Sequence, residues 1–385
     1  MDAVNLPLGF TAHTGNLGIK DDTADFTVVA SSSPSTTSSA VFTRSRFAGP
    51  SVTLSRAANL AGLRAAVVIS KNANVATGVQ GAANARAVAE SVASTLGIPA
   101  DTVLMTSTGV IGRQYPMDRV RAGLDALRAP FTGRDALEVA TAMMTTDTHP
   151  KIARADVGPA RIVGVAKGVG MIEPDMATMI SLVFTEAAIP AADLDAAFRR
   201  VVARTYNSLS VDTDTSTSDT AAVLASGEAG PVEVSAFETA LSEVCTNLTR
   251  QLARDGEGAT KLLVVTVDSA RDDDQARRVA KAILNSPLVK TAVHGADPNW
   301  GRVAMAVGKC SDDTDIDEER VVIRFGDQEL YPSPVDDRGL AALTEYLRGD
   351  EVHIGVSLGT GGASWTVYGC DLSDQYIRIN ADYTT

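Results

Sequence analysis

Cysteine is nearly missing from this chain of 385 residues: Cys245, Cys310 and Cys370 stand at wide spacing. Three is an odd number, and the spacing fits neither a disulfide framework nor a zinc pattern. Reduced, half-buried thiols in a cytoplasmic protein are the reading that remains. The four histidines, His13, His149, His294 and His353, are as scattered, and none has a partner at metal-type spacing, so no metal is expected. Aromatic residues are only 5% against 45% hydrophobic, which makes the core one of Ala, Val, Leu and Ile. Positive charge is also short. Lys plus Arg number 34 against 47 Asp plus Glu, a net charge of -13 that repels phosphate backbones, and no basic run offsets it. Nucleic acid is thereby excluded as an expected partner. Long apolar runs are missing too, the longest being strand-sized against the roughly 20 residues a spanning helix needs, so no membrane span is expected. The opening "MDAVNLPLGFTAHTG" has neither a basic nor an apolar segment of the kind that directs secretion.

What is present is a steady alternation of strand and helix patterns, in a length that suits one large or two ordinary domains. "DFTVVAS", "AVFTRS" and "LRAAVVIS" read as strands, with the Ser-rich "SSSPSTTSSA" as a surface loop between the first two. Ala85, Val88, Ala89, Val92 and Leu96 share one helical face that Gly97 closes. "TVLMTSTGVIG" reads as a strand entering a glycine turn, and "MISLVFT" as another strand. A helix is expected from Ser235, with Glu238 completing a capping box and a stripe of Phe237, Leu241, Val244, Leu248 and Leu252. "KLLVVTV", a helix from about Asp272 to Leu284, and strands at "RVVIRF", "EVHIGVSL", "SWTVYGC" and "YIRIN" follow. Sheets covered by helices in layers are the class such a mixture predicts.

Glycine-rich stretches suggest nucleotide binding and then fail the test. "GVGMIEP" lacks the third glycine of the dinucleotide fingerprint and no helix pattern follows it; "LGTGGAS" reads as hairpin glycines between strands; no Walker sequence is present. "DTDTSTSD", Asp212 to Asp219, resembles a cation loop, but an EF-hand would need glycine and glutamate where Thr217 and Val223 stand. It remains a polar cap or a rim of hydroxyls and carboxylates for an ammonium-bearing substrate. Neither a Gly-x-Ser-x-Gly elbow nor a Cys/His signature is present.

"KGVGMIEPDMATM" delivers one threonine, Thr178, to the start of an apolar strand. A threonine hydroxyl is a poor nucleophile without an adjacent base, and its own α-amine, with a reference pKa of about 8, can be that base once the preceding peptide bond is cut. Ala177 is small enough to let the hydroxyl approach its carbonyl, and Gly168, Gly170 and Pro174 shape the loop. The ordinary alternative is a β-branched residue opening a strand.

The stretches "TSTGVIG", "MTTDT", "GVAKGVGMIEPDMATM", "DTDTSTSDT", "DGEGATK", "NSPLVKTAVHGADPNWGR" and the terminal "NADYTT" resemble, in order and over essentially the whole chain, the ornithine acetyltransferase (glutamate N-acetyltransferase) family. The resemblance implies an α/β fold, a layered α/β/β/α sandwich of the self-cleaving N-terminal-nucleophile type. It implies cleavage between Ala177 and Thr178 into an N-terminal chain, 1–177, and a C-terminal chain, 178–385, headed by the nucleophile. Thr108 and Gly109 match the family's oxyanion hole, and Thr145, Lys167, Thr178, Glu257, Asn380 and Thr385 its substrate contacts. The implied reaction passes acetyl from N-acetylornithine to glutamate through an acetyl-threonine, in a cytoplasmic heterotetramer of two chains of each kind. No cofactor is implied, although acetyl-CoA serves some members as an alternative donor. Thr213 and Ser218 depart from the family's usual "DGDTSTND", and the variant resembles a branch associated with clavulanic acid clusters, which leaves arginine supply and secondary metabolism both open as pathways. An amidohydrolase or aminopeptidase on the same scaffold, and an uncleaved binding protein without the chemistry, are the alternatives.

Overall fold

Strand-forming residues apolar on both faces run through the middle of the chain, and they build a sheet covered on both sides. The computed structural model describes residues 4–173, 179–333 and 335–382. A first sheet holds β1 (Phe10–Gly15), β2 (Phe26–Ser31), β4 (Ala65–Ile69) and β5 (Val103–Ser107) in the order β1-β2-β4-β5. A second holds β3 (Thr37–Phe42), β6 (Lys151–Val157), β7 (Ala160–Lys167), β8 (Ile180–Ala188) and β9 (Thr220–Pro231), ordered β3-β9-β8-β7-β6. Successive side chains of a strand point to opposite faces, and the cores follow that rule. Val163 and Val165 of β7, with Leu182 and Phe184 of β8, meet Phe10, Val29, Val68 and Leu104 of the first sheet. Their neighbours Ile162 and Val183 face the other way, onto α5 (Ala191–Arg204) and α6 (Val234–Arg254). The outer face of the first sheet carries α2 (Gly78–Leu96) and α3 (Met117–Ala126), through Val88, Val92, Val120 and Leu124. The result is the expected α/β/β/α layering, with α1 (Pro50–Arg56) and α4 (Ala136–Met143) contributing Val52, Val139 and Met143 to the core between the sheets.

A third sheet lies beyond that sandwich. It is formed by β10 (Leu262–Ala270), β11 (Val322–Phe325), β12 (Gln328–Tyr331), β13 (Glu351–Ser357) and β14 (Ala363–Cys370), ordered β12-β11-β13-β10-β14. Leu263, Val265 and Val267 of β10 face a core shared with α7 (Asp273–Leu284), α8 (Pro287–His294), α9 (Trp300–Gly308) and α10 (Asp337–Leu347). The alternate Leu262 and Val264 share the core of α6, so this one helix joins the third sheet to the sandwich. A last helix, α11 (Asp374–Asp382), closes the described chain.

The tightest part of the α6 interface is at Gly164, where an added Cβ would stand 2.8 Å from Leu248 Cδ1 and 2.9 Å from Val244 Cγ1. Glycine lets the helix settle onto the sheet, and Leu248 is fully buried there. Leu248→Ala opens a cavity and is expected to lower stability by about 2–5 kcal/mol, read as a lower urea midpoint at unchanged slope.

Several sequence expectations are corrected. "YIRIN" belongs to α11, not to a strand: Ser373 Oγ accepts from Gln375 N at 3.2 Å at its start, and Asp374 pairs with Arg378 at i,i+4. Its alternating Tyr, Ile and Arg imitate a strand period, but the helix leaves Ile377 exposed. The helix expected from Ser235 begins at Val234, and its cap is Glu233, which accepts from Ser235 N and Ala236 N. Glu238 instead takes two hydrogen bonds from Arg200, at 2.8 and 2.6 Å. "LGTGGAS" is not a hairpin, since β13 and β14 flank β10 on opposite sides; Gly361 is needed because a Cβ there would lie 2.5 Å from Ala270 O. The Ser-rich stretch is a loop only in part, β3 starting inside it at Thr37.

Candidate active site

β7 and β8 are antiparallel neighbours, with Lys167 opposite Ile180, so the sequence between them must turn back at the sheet's end. The expected cleavage position, Ala177 and Thr178, falls in that connection and lies outside the described residues, as does Thr385. The other six site residues singled out from the sequence, Thr108, Gly109, Thr145, Lys167, Glu257 and Asn380, all line one cavity of about 340 Å³. Met179, the residue after Thr178, lines it as well, together with Ser216, Thr217, Ser218 and Asp219 of the "DTDTSTSD" stretch.

Each wall has a local cause. β5 ends at Ser107, and Thr108 N still donates to Ile69 O at 3.0 Å, continuing the pairing with β4. Gly109 then takes φ +126°, and a Cβ there would lie 2.3 Å from the Lys71 carbonyl carbon. Only glycine suits both constraints. Because the Thr108 amide is committed, the donors this pair can offer are the Thr108 hydroxyl and the Gly109 N–H. Lys167, the last residue of β7, is buried and donates from Nζ to Thr108 Oγ1 at 3.2 Å. A hydroxyl that accepts from an ammonium keeps its own proton to donate elsewhere.

Glu257 follows α6 at the turn Asp255–Gly256, with its N–H on Val169 O at 2.9 Å. Its carboxylate accepts from Asn380 Nδ2 of α11 at 2.9 Å. Gly170 passes so close that a Cβ on it would be 2.5 Å from Glu257 Oε2. Burial raises the Glu257 carboxyl above its ordinary value, with Asp212 adding to the rise while Asn380 and Lys167 work against it. Burial lowers Lys167, and the nearby carboxylates Asp147, Asp219 and Glu257 oppose the fall.

Four groups support these walls: Asp147, Lys151 and Asp255, which the sequence reading left without a role, and Asp212 of the "DTDTSTSD" stretch. Asp147 accepts from Thr145 N at 3.0 Å, Gly168 N at 2.6 Å and Lys151 Nζ at 2.8 Å. Lys151, fully buried, also reaches Asp255 at 2.6 Å. Burial alone would raise Asp147, but Lys167 and Lys151 prevail and hold it down at about 2. Asp212 accepts from Met171 N and Ile172 N, both at 2.7 Å. In "DTDTSTSD", then, Asp212 holds the backbone at 171–172 while Ser216 to Asp219 line the cavity. Among the described residues, no group of three His, Cys, Asp or Glu is placed to hold a metal ion. Asp147 and Asp255 do sit in the conspicuous stretches "MTTDT" and "DGEGATK", the one sequence signal that pointed to them.

One cation, Lys167, two carboxylates, Asp219 and Glu257, and a ring of hydroxyls around a cavity of this size suit an amino acid carrying both charges. Thr108 and Gly109 also bring a hydroxyl and an N–H donor to the same lining.

Residues 11–385 match the ArgJ family. The chain is 56% identical over 386 residues to glutamate N-acetyltransferase Oat2 of Streptomyces clavuligerus, 98% of each being covered. It is also 56% identical to the arginine biosynthesis bifunctional protein ArgJ of Rhodococcoides fascians, over 98% of this chain and 94% of that one. Among solved structures it is similar to the ArgJ protein of Bacillus halodurans, at 40% identity and a TM-score of 0.51, over 54% of this chain and 100% of that one.

Proposed function

This chain belongs to the ArgJ family, and on that premise we propose that it is an acyltransferase that passes acetyl from N-acetylornithine to glutamate. The observation that carries the proposal is convergence. Six positions drawn from five separate parts of the chain, from Thr108 to Asn380, line the cavity that Met179 borders directly after Thr178. Cleavage before Thr178 frees an α-amine beside its hydroxyl. The amine takes the hydroxyl proton as Oγ attacks the acetyl carbonyl. Gly109 N–H and the Thr108 hydroxyl receive the oxyanion, and collapse transfers a proton to the leaving nitrogen and releases ornithine. Glutamate's amine then attacks the acetyl-threonine by the same steps in reverse. Lys167 serves the α-carboxylate of either amino acid, and Glu257 with Asn380 the donor's free ammonium; Thr145 and Thr385 complete the contacts. The steps call on no cofactor, and acetyl-CoA would enter only as an alternative acetyl donor.

The fold is suited to two pieces that stay together. The second sheet would take β3, β6 and β7 from residues 1–177 and β8 and β9 from 178–385, so its core would survive the cut. A solved relative whose whole chain corresponds to 54% of this one supports such pieces, because residues 178–385 make up the same share. Pairing of two cleaved protomers into a heterotetramer, and work in the cytoplasm, complete the proposal; among the described residues no helix is long and apolar enough to cross a membrane. The test is initial-rate kinetics with both substrates. Parallel double-reciprocal lines and ornithine release that depends on glutamate are expected. Release at full rate without glutamate would make the protein an amidohydrolase.

A further inference from the structure

Building on the reading above, we propose that Asp147 is a positioning residue: it holds Lys167 as an ammonium and fixes both walls of the cavity that Lys167 and Thr145 form. The geometry begins with one carboxylate between two backbone segments. Asp147 accepts from Thr145 N on one side and from Gly168 N, the residue after Lys167, on the other. These two bonds tie the turn after α4 to the end of β7.

Burial is the largest influence on Lys167 and lowers its pKa, and the charges around it act against or with that fall. Asp147 faces it from the turn after α4, Lys151 from the start of β6, Asp219 from the turn before β9 and Glu257 from the turn after α6. Burial and Lys151 disfavour the ammonium, and the three carboxylates favour it, Asp147 most strongly. Lys151 cannot be left unpaired at zero exposure, and Asp255 supplies its second carboxylate at 2.6 Å, itself 3.4 Å from His149 Nδ1. Asp255, Lys151 and Asp147 form a buried ion-paired run, Lys151 lying 2.6 Å from Asp255 and 2.8 Å from Asp147, and Asp147 reaches the neighbour of Lys167 through Gly168 N at 2.6 Å. Lys167 is in turn the group that donates to Thr108 Oγ1. A neutral Lys167 amine could accept the Thr108 proton instead of donating, and the hydroxyl would lose its direction toward the cavity.

The sign of the effect follows. The working form of Lys167 is protonated, so activity falls as pH rises through its pKa. Removing a neighbouring anion lowers that pKa, and a close opposite charge is worth about 1–3 units. Asp147→Asn is therefore expected to move the alkaline limb of kcat/KM down by about 1–3 pH units, with the acid limb in place. Asp147→Glu, which restores the charge, should return the limb while leaving kcat reduced. In a Lys167→Arg background, where the guanidinium stays charged throughout, Asp147→Asn should produce no shift. Uniform loss of activity at every pH, with the limb unmoved, would reduce Asp147 to a structural role and overturn the proposal.

A second measurement uses the unaltered protein and needs no substrate. The 15N signal of Lys167 Nζ, assigned by its loss in Lys167→Arg, should report an ammonium through neutral pH. A neutral amine at pH 7 would overturn the proposal even if the Asn variant failed to fold. It would do so whether or not N-acetylornithine proves to be the donor, so the two readings can fail separately.

Discussion

Thr178→Ala is expected to give one full-length chain and to lose acetyl transfer by a factor on the order of 10⁶, the scale for removal of a catalytic nucleophile. Both effects have one cause. The hydroxyl that would attack the Ala177 carbonyl during processing is the hydroxyl that would attack the acetyl group afterwards. Alanine removes it without adding bulk. The surrounding β7–β8 pairing, the Asp212 bonds to Met171 and Ile172, and the Glu257–Val169 bond do not depend on it. The variant should therefore fold, and its circular dichroism should match the parent's. Thr178→Ser keeps the hydroxyl and should still be cut and still turn over, more slowly. Gel electrophoresis and a transfer assay on the three proteins check the prediction. A Thr178→Ala protein that appears as two chains would assign the cut to another residue.

Gly109→Ala carries the next largest effect. Its φ of +126° is a region that L-residues rarely adopt, and the new Cβ would lie 2.3 Å from Lys71 C and 2.6 Å from Asn72 N. Backbone cannot swing aside as a flexible side chain can. The turn must move away from Lys71 and Asn72, taking with it the bridge between Asn72 and Val110 and the Ala73 N to Val110 O bond of 3.0 Å. A shift of that kind withdraws the Gly109 N–H from the position where the oxyanion forms. Loss of one such donor costs a factor of about 10²–10³ in kcat, alongside about 1–3 kcal/mol of backbone strain. Gly112→Ala is the control: its φ is +84°, yet an added Cβ would meet nothing within 4 Å. It should lose some stability and keep its rate. Equal rates for the two variants would remove the 108–109 turn from the chemistry.

The sheets were legible because their strands announce themselves. "MISLVFT" and "KLLVVTV" are short β-branched runs buried on both faces, and the structure places them as β8 and β10. Where reading failed, a local pattern was overruled by what lies beside it. "YIRIN" has a strand's alternation, but the chain entering it is tied down by Ser373, whose hydroxyl donates to Gly258 O at 2.6 Å and accepts from Gln375 N at 3.2 Å, and it coils into α11. Glu238 stands at capping-box spacing, but Arg200 from α5 offers a bidentate ion pair that a backbone N–H does not match.

The site divides in the same way. Thr108, Gly109, Thr145, Lys167, Glu257 and Asn380 came from family-like motifs and meet at one cavity. The carboxylates behind them did not stand out. Asp212 stood only as part of a polar rim or cap, and Asp147 and Asp255 carried no individual role within "MTTDT" and "DGEGATK", because nothing in a linear sequence says that Lys151 will be buried between them. Such pairing is a property of the packed layers: α6 delivers Asp255 at its end, and β6 delivers Lys151 at its start.

The most direct measurement of the central claim is the denatured mass spectrum of the purified protein after brief mixing with N-acetylornithine. The account predicts two chains that part before Thr178, the C-terminal one carrying a single acetyl group. One unmodified full-length chain would contradict it.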